Sequence, residues 1–298
     1  MKTEHYTCWI CNSDDMTFVK PSNITETLNS SSFAITDSNY GSTGRLYRCE
    51  GCGFIQCSEL SDVASYYQDL EDKQYELGRK ERGIQARKLL ELLRPLQGSG
   101  RLLDIGSGTG ILLEQALSMG YDAEGVEPSC WAQKKSTEYG LKVHLGTYPH
   151  PDIKNTFDLV TLVDVIEHVP NPVELLAHVA LQLDENGFGL VVTPDRGTLI
   201  PRIMGWKWWH YRIAHIGYFT RRNLLLALDR AGLEPVKIGR PSWYFSAGYL
   251  LERIYRYLPS ILRIPFPDSL DRIVVSLNLG DSIYILFKKK TPSQSIYS

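Results

Sequence analysis

Three sets of residues in this chain have the types and spacings that chemistry needs. The first is Cys8-x-x-Cys11 with Cys49-x-x-Cys52. Two such knuckles offer four thiolates to one zinc ion, and four sulfurs in a tetrahedron leave no open position. The metal at Cys8, Cys11, Cys49 and Cys52 is therefore expected to be structural. The second set is Leu103-Asp104-Ile105-Gly106-Ser107-Gly108-Thr109-Gly110, an apolar strand entering a glycine-rich turn where a ligand can approach the backbone. A dinucleotide fingerprint needs its third glycine where Ile111 stands, and Asp104 would repel a pyrophosphate and favour a cation or an amine. Glu127, 23 residues after Asp104, is placed to accept hydrogen bonds from the hydroxyls of a ribose. The third set consists of proton acceptors, His168, His210, His215 and Asp195; the histidines titrate near neutrality and suit general-base work.

The elements that must position these residues are legible from periodicity. Short apolar strands are expected at 101–105, 122–127, 142–145, 158–164 and 189–193, alternating with helices at 111–119, 130–139 and 172–183. That alternation predicts an α/β fold, a doubly wound parallel sheet with helices on both faces. It brings Asp104, Glu127 and Asp164 to the carboxyl edge of one sheet, where such folds bind ligands. A helix at 221–231 and a strand at 282–288 complete the sheet. The expected organisation is a zinc-ribbon-like module at 1–60, a helical linker at 61–97, and a core at 98–290 with inserted segments 196–220 and 243–280. A flexible tail follows at 291–298. The 37 residues between the knuckles make 21–44 an inserted loop or hairpin.

The glycine turn and Gly125-Val126-Glu127 are followed by Asp158-Leu159-Val160 and Asp164-Val165-Ile166-Glu167-His168-Val169. Together they resemble the motifs of class I methyltransferases that use S-adenosyl-L-methionine. The nearest branch is the small-molecule one akin to the ubiquinone-biosynthesis O-methyltransferases. The resemblance covers roughly 98–193 and continues more weakly to about 290. It implies a seven-stranded Rossmann-like sheet. It also implies that Asp104, Gly106, Gly108 and Gly110 hold the methionine end of the cofactor and that Glu127 holds the ribose. Thr147 and Tyr148 would lie near the adenine, with Asp164 and Val165 beside the methionine moiety. Methyl transfer from a sulfonium is an in-line displacement, so positioning carries most of the catalysis, and a hydroxyl acceptor must also lose its proton. His168 at the mouth of the cofactor cleft, His210 or His215 after the fifth strand, and Asp195 are the candidate bases.

The acceptor is harder to read. The net charge of −2 divides into −12 over residues 1–195 and +10 over residues 196–298, so an anionic or lipid-linked acceptor would meet its counter-charge in the last third. Trp206, Trp208 and Trp209, with Lys207 and Arg212, read as an aromatic lid over that acceptor. In 246–264, Leu250, Leu251, Ile254, Leu258, Ile261 and Leu262 alternate with Arg253, Arg256 and Arg263. That pattern fits peripheral contact with an acidic membrane, or a covered subunit or sheet face. An apolar content of 43% excludes a disordered chain, no apolar run approaches a bilayer span, and the start has no apolar leader, so a cytoplasmic protein is expected. The expected reaction is O-methylation of a sugar, a glycan precursor or a lipid-linked metabolite. RNA methylation with the zinc module as reader is the alternative. It is opposed by the 4 basic and 7 acidic residues of 1–60, and by Asp164-Val165-Ile166-Glu167 standing where a base-amine motif belongs. Nucleic acid is not the expected partner. The order of modules also resembles the sugar C-methyltransferases; that resemblance implies a further carboxyl-terminal domain, which is not expected within these 298 residues, so carbon methylation is not the expected reaction. A scaffold that binds cofactor without turnover is the third class.

Overall fold

The computed structural model describes residues 6–25, 27–34, 36, 40–60, 63–255 and 267–291. Its first elements are the strands β1 (Met16–Lys20), β2 (Leu46–Cys49) and β3 (Ile55–Gln56), which pair antiparallel in chain order. Between β1 and β2 the polar stretch contains a short turn of 3-10 helix at Ser30–Phe33, anchored by the fully buried Phe33. Three helices follow: α1 (Ala64–Gln68), α2 (Lys73–Leu77) and α3 (Arg79–Leu93). Ala86, Leu89, Leu90 and Leu93 recur on one face of α3 and are buried, which seats that helix on the body of the protein.

The alternation expected from the sequence then appears. β4 (Gly100–Ile105), α4 (Ile111–Ser118), β5 (Tyr121–Glu127), α5 (Cys130–Glu138) and β6 (Lys142–Leu145) come first. β7 (Phe157–Val163), α6 (Pro172–Gln182) and β8 (Leu183–Pro194) follow. β8 starts six residues earlier than its apolar run suggests, because Leu183 pairs with Phe157 across an irregularity in register. The chain continues through α7 (Leu199–Met204), β9 (Gly217–Tyr218), α8 (Arg221–Arg230) and β10 (Leu233–Gly239). Thr220 caps α8, its side chain accepting from the Asn223 amide. The last elements are β11 (Trp243–Ser246), α9 (Ala247–Tyr255), β12 (Val274–Leu277) and β13 (Ser282–Lys289).

The main sheet has the order β10-β13-β8-β7-β4-β5-β6, with β6 through β8 parallel and β13 antiparallel to both its neighbours. This is the seven-stranded Rossmann-like arrangement. From β4 the chain winds to β5 and β6 on one side and then crosses to β7 on the other. A crevice opens at that switch, at the carboxyl ends of the strands. Apolar clusters cover the two sheet faces, one centred on Val160, Leu162, Leu176 and Leu228 and the other on Leu90, Leu102, Leu113 and Leu190.

Two features change the expected organisation. The small sheet has a fourth strand, β9, taken from the first inserted segment, and Ile55 faces Tyr218 while Gln56 faces Gly217. A third apolar cluster joins Phe33, Leu46 and Ile55 of the cysteine module to Trp208, Tyr211, Ile216 and Tyr218 of that segment. The cysteine module and the segment 196–220 thus share one core. The second inserted segment holds a two-stranded sheet, β11 with β12, flanking α9. The remainder of 246–264 beyond Tyr255, and residues 292–298 of the tail, lie outside the described residues. No helix among the described residues is long and apolar enough to cross a membrane.

Candidate active site

The carboxyl ends of β4, β5 and β7 open into one cavity of about 1350 Å³. Asp104, Gly106, Gly108, Glu127, Thr147 and Tyr148 line one end, and Asp164, Val165, Glu167, His168, His210 and His215 line the other. At the first end the glycine turn keeps a tight path. Gly106 has φ +72°, and a Cβ there would stand 2.6 Å from Val165 Cγ2. Gly110 is left-handed as well, but it faces Leu141 and Ser136 and sits beneath the turn without lining the cavity. Glu127 accepts from the backbone amides of Gly108 and Ser129, each at 2.8 Å, and so ties the end of β5 to the turn. Asp104 accepts from the Thr161 hydroxyl at 2.6 Å. Burial pushes both carboxyls up to about 7, with repulsion from Glu127 adding to the effect at Asp104. Both groups are therefore poised to release a proton when positive charge arrives.

The helices between the cysteine module and β4 roof this end. Asp72 accepts from the Tyr75 amide and starts α2, which holds the Tyr75 ring over Gly108, whose Cβ would lie 3.6 Å from the tyrosine hydroxyl. Arg79 donates to the Thr109 carbonyl at 3.2 Å and pairs with Glu114 at 2.8 Å, and the Ser129 hydroxyl donates to the Leu70 carbonyl at 2.8 Å. Tyr67, Tyr75 and Arg82 all face the cavity. Residues 61–97, expected as a helical linker, thus supply cavity residues that spacing alone does not single out; the signal in the sequence is three tyrosines, Tyr66, Tyr67 and Tyr75, in a charged helical stretch.

At the second end Asp164 has φ +54°, a left-handed conformation that a non-glycine residue adopts at a cost of about 1–3 kcal/mol. The reversal directs Val165, Glu167 and His168 toward the cavity. The His168 and His215 rings meet edge to face at 4.7 Å, and the His215 and His210 rings stack at 5.6 Å. His168 Nδ1 lies 2.8 Å from the Ala214 carbonyl and 2.6 Å from the Tyr67 hydroxyl. A carbonyl only accepts, so Nδ1 carries the proton and Nε2 keeps its lone pair. His210 Nε2 is 3.7 Å from Asp281 Oδ2, which accepts from Trp208 Nε1 at 3.0 Å. Burial drives His168 down to about 4, His210 to about 3, and His215 well below the ordinary value, so all three are neutral at pH 7. Burial raises Asp164 to about 7 and, with Asp164 beside it, lifts Glu167 well above the carboxylate range. Glu167 is 1% exposed; its Oε2 accepts from the Thr193 hydroxyl at 2.9 Å, and its Oε1 has no hydrogen-bond partner among the described residues.

The structure thus gathers His168, His210 and His215 and sets Asp195 apart. Asp195 does not line the cavity: its carboxylate pairs with Arg240 at 2.7 Å and accepts from the Gly197 amide at 2.8 Å. The expected aromatic lid divides in two. Trp208, 1% exposed, and Tyr211 belong to the shared core, Lys207 and Trp206 point to solvent, and Trp209 and Arg212 line the cavity. Trp243, Tyr244, Tyr249 and Arg253, from β11 and α9, close its rim.

At the knuckles, Cys8 Sγ lies 3.5 Å from Cys52 Sγ and Cys11 Sγ lies 3.4 Å from Cys49 Sγ, with all four sulfurs within 4.8 Å of one another. A tetrahedral zinc with Zn–S bonds of about 2.3 Å would set sulfurs about 3.8 Å apart. The module is fastened by Asn223 Nδ2 donating to the Cys52 carbonyl at 2.8 Å, Arg196 to Gly53 at 2.9 Å and Arg230 to Cys11 at 3.1 Å.

A family model described as a methyltransferase domain matches residues 77–238. The chain is similar to the ubiquinone biosynthesis O-methyltransferase of Azorhizobium caulinodans, 37% identical over 111 residues, which is 35% of this chain and 44% of that protein. The Photobacterium profundum enzyme of the same name is 35% identical over 107 residues, 32% of this chain and 44% of its own. The chain therefore spans less than half the length of these relatives. Among solved structures, a S-adenosylmethionine-dependent methyltransferase from Archaeoglobus fulgidus has a TM-score of 0.51 at 18% identity, covering 73% of this chain and 100% of that one. Another from Clostridium acetobutylicum has a TM-score of 0.50 at 12% identity, covering 74% and 98%. Those two likenesses show the fold.

Proposed function

The chain belongs to the class I S-adenosylmethionine-dependent methyltransferases, and from that premise we propose that it methylates a hydroxyl oxygen of a ring-bearing small molecule. The observation that carries this reading is the continuity of one cavity from the glycine turn to the three histidines. When bound, the cofactor supplies an electrophilic methyl group on a sulfonium. The turn suits that ligand, since Gly106 and Gly108 leave the backbone bare where a Cβ would intrude, and the buried carboxyls of Asp104 and Glu127 welcome positive charge and hydroxyl donors. On this reading Asp104, Gly106 and Gly108 hold the methionine end and Glu127 holds the ribose. Thr147 and Tyr148 flank the adenine, Asp164 and Val165 border the methyl group, and Gly110 keeps the turn in shape.

The acceptor enters at the histidine end. His210 takes its proton, with Asp281 beside the ring to steady the imidazolium that forms. A neutral imidazole of such low basicity matches an acceptor hydroxyl that is already acidic, as on an aromatic ring, better than an alkyl alcohol. Arg212 and Arg253 give an anionic or lipid-linked acceptor its counter-charge, and α9 at the rim is the described part of the segment read as membrane-facing. Zinc at the four cysteines would be structural, in a cytoplasm reducing enough to keep the thiols available. The RNA alternative draws less support, because the edge of the small sheet is already taken by β9. Incubation with S-adenosylmethionine and a panel of phenols, sugars, prenylated rings and RNA tests the proposal by mass gain of one methylene. Transfer to RNA alone, or to a carbon atom, overturns it.

A further inference from the structure

We propose that His144, His150 and Asp152 form a second metal site, for a divalent transition ion such as Ni²⁺, Co²⁺ or Zn²⁺, that fastens the loop after β6 to the edge of the main sheet. β6 is the last strand of that sheet, and the loop leaving it carries Thr147 and Tyr148 to the cavity. One ligand atom from each of the three side chains lies within 4.8 Å of the others. Neighbouring ligands of an ion bonded at about 2.0–2.2 Å stand about 3–3.6 Å apart, so small rotations, chiefly of the exposed Asp152 side chain, close the set. Two imidazoles with one carboxylate suit borderline ions, and water fills the positions that face solvent.

Both rings are held from behind, as metal-binding histidines characteristically are. His144 Nε2 lies 2.9 Å from the Glu124 carboxylate, and His150 Nε2 lies 3.2 Å from the Leu145 carbonyl. A carbonyl only accepts, and so does a carboxylate paired with Lys142 at 2.6 Å; each Nε2 therefore carries the proton and each Nδ1 keeps its lone pair. The ring centroids are 5.3 Å apart. The Asp152 amide donates to His150 Nδ1 at 3.2 Å, with the Asp152 carboxylate 3.9 Å from the same nitrogen. An ion displaces that long contact, and the exposed amide turns to water. Arg101 and Lys142 pair with Glu124, so the charge that offsets the ion comes from Asp152. The His150 ring also packs beneath Gly146, φ +144°, where a Cβ would stand 3.1 Å from His150 Cδ2. The Gly146 amide in turn donates to the Glu127 carbonyl at 2.9 Å. An ion on His150 thus fixes the backbone that runs from the end of β5 to Tyr148. The site does not depend on the functional reading, whereas its effect on the cofactor rests on Thr147 and Tyr148 flanking the adenine.

The test titrates Ni²⁺ into zinc-loaded full-length protein by calorimetry, alongside His150→Gln and Asp152→Asn, with circular dichroism to verify folding. The wild type is expected to bind about one equivalent more than His150→Gln, and Asp152→Asn to bind that equivalent more weakly by about tenfold or more. Identical isotherms in the three overturn the site. Asp152 faces solvent, so its variant keeps the test decisive should His150→Gln fail to fold. Hydrogen exchange needs no variant: Ni²⁺ should slow the amides of 145–153 several-fold in the wild type, and unaltered exchange overturns the site. S-adenosylmethionine should bind a few-fold more tightly when Ni²⁺ is present, since each ligand then favours the other; an affinity that ignores the bound ion overturns the fastening of the loop. Cofactor binding by a protein that takes up no ion here overturns the metal site alone, and ion binding without any cofactor binding leaves the site standing and overturns the functional reading.

Discussion

The two ends of the cavity are built in different ways. At the glycine-turn end, Asp104, Gly106, Gly108, Glu127 and Tyr148 all come from 104–148, a single run of strand, turn and helix in which each residue is placed by its own strand end. At the histidine end, Tyr67, Glu167, His168, His210, His215 and Asp281 come from four separated stretches brought together by packing around Trp208 and β9. A site gripped by local backbone carries its geometry in sequence spacing. A site assembled over long range carries it in the core that joins the pieces, and so depends on parts of the molecule that never touch the ligand.

The largest expected effect follows from that dependence. Removing zinc from the knuckles, where structural binding is worth about 10–16 kcal/mol in small zinc modules, should unravel β1–β3 and with them the pairing to β9. Turnover should then be lost while S-adenosylmethionine binds within a few-fold of its original affinity. A matching collapse of cofactor affinity, measured by calorimetry after chelation, would break the contrast between the two ends. Next in size is His210→Ala, for which turnover should fall about 10²–10⁴-fold with cofactor affinity unchanged, as for loss of a general base. Full turnover in that variant assigns the proton to another group.

Glu127→Ala is the converse case. Loss of its charge-assisted hydrogen bonds should weaken S-adenosylmethionine by about 1–3 kcal/mol in titration calorimetry, and an unaltered affinity would remove Glu127 from the ribose site. The smallest effect is that of pH. Asp104 and Glu127 are raised to about 7 in the free protein, so between about pH 4 and 7 the folded chain holds protons that the unfolded chain has released. Their contribution to stability therefore falls as pH rises through that window. Affinity for a sulfonium should rise over the same window and level off above it, by at most tenfold per pH unit for each carboxyl that gives up its proton, with proton release visible when buffers of different ionisation enthalpy are compared. Affinity that is flat from pH 5 to 8 would mean that neither carboxyl meets the cofactor's charge.

The contrast also explains what could be read from sequence. The strands and helices of 100–194 and the glycine turn were legible because period and punctuation are local properties, and only the early start of β8 escaped. The three histidines were legible as residue types. Their meeting was not, because it depends on Ile216 donating to the Glu167 carbonyl and on Trp208 reaching Asp281 across 73 positions. Asp195 was misleading for the same reason: its partner Arg240 lies on a remote loop. The roof of Tyr67 and Tyr75 was hidden because both stand in a charged stretch without a regular apolar period, although each packs against a core cluster while lining the cavity.

Strand β9 also sets the timing of synthesis. The cysteine module emerges from the ribosome first, yet its sheet stays open along β3 until Gly217 and Tyr218 arrive, roughly ten to thirty seconds after Cys52 at about 5–20 residues per second. Through that interval the nascent chain presents an unpaired strand edge, the kind of surface on which other chains add. A metal ion taken up early by the four cysteines would hold the edge in place but could not cover it. Chains truncated before Gly217 would keep it exposed, and should be the ones that aggregate or are cut by proteases.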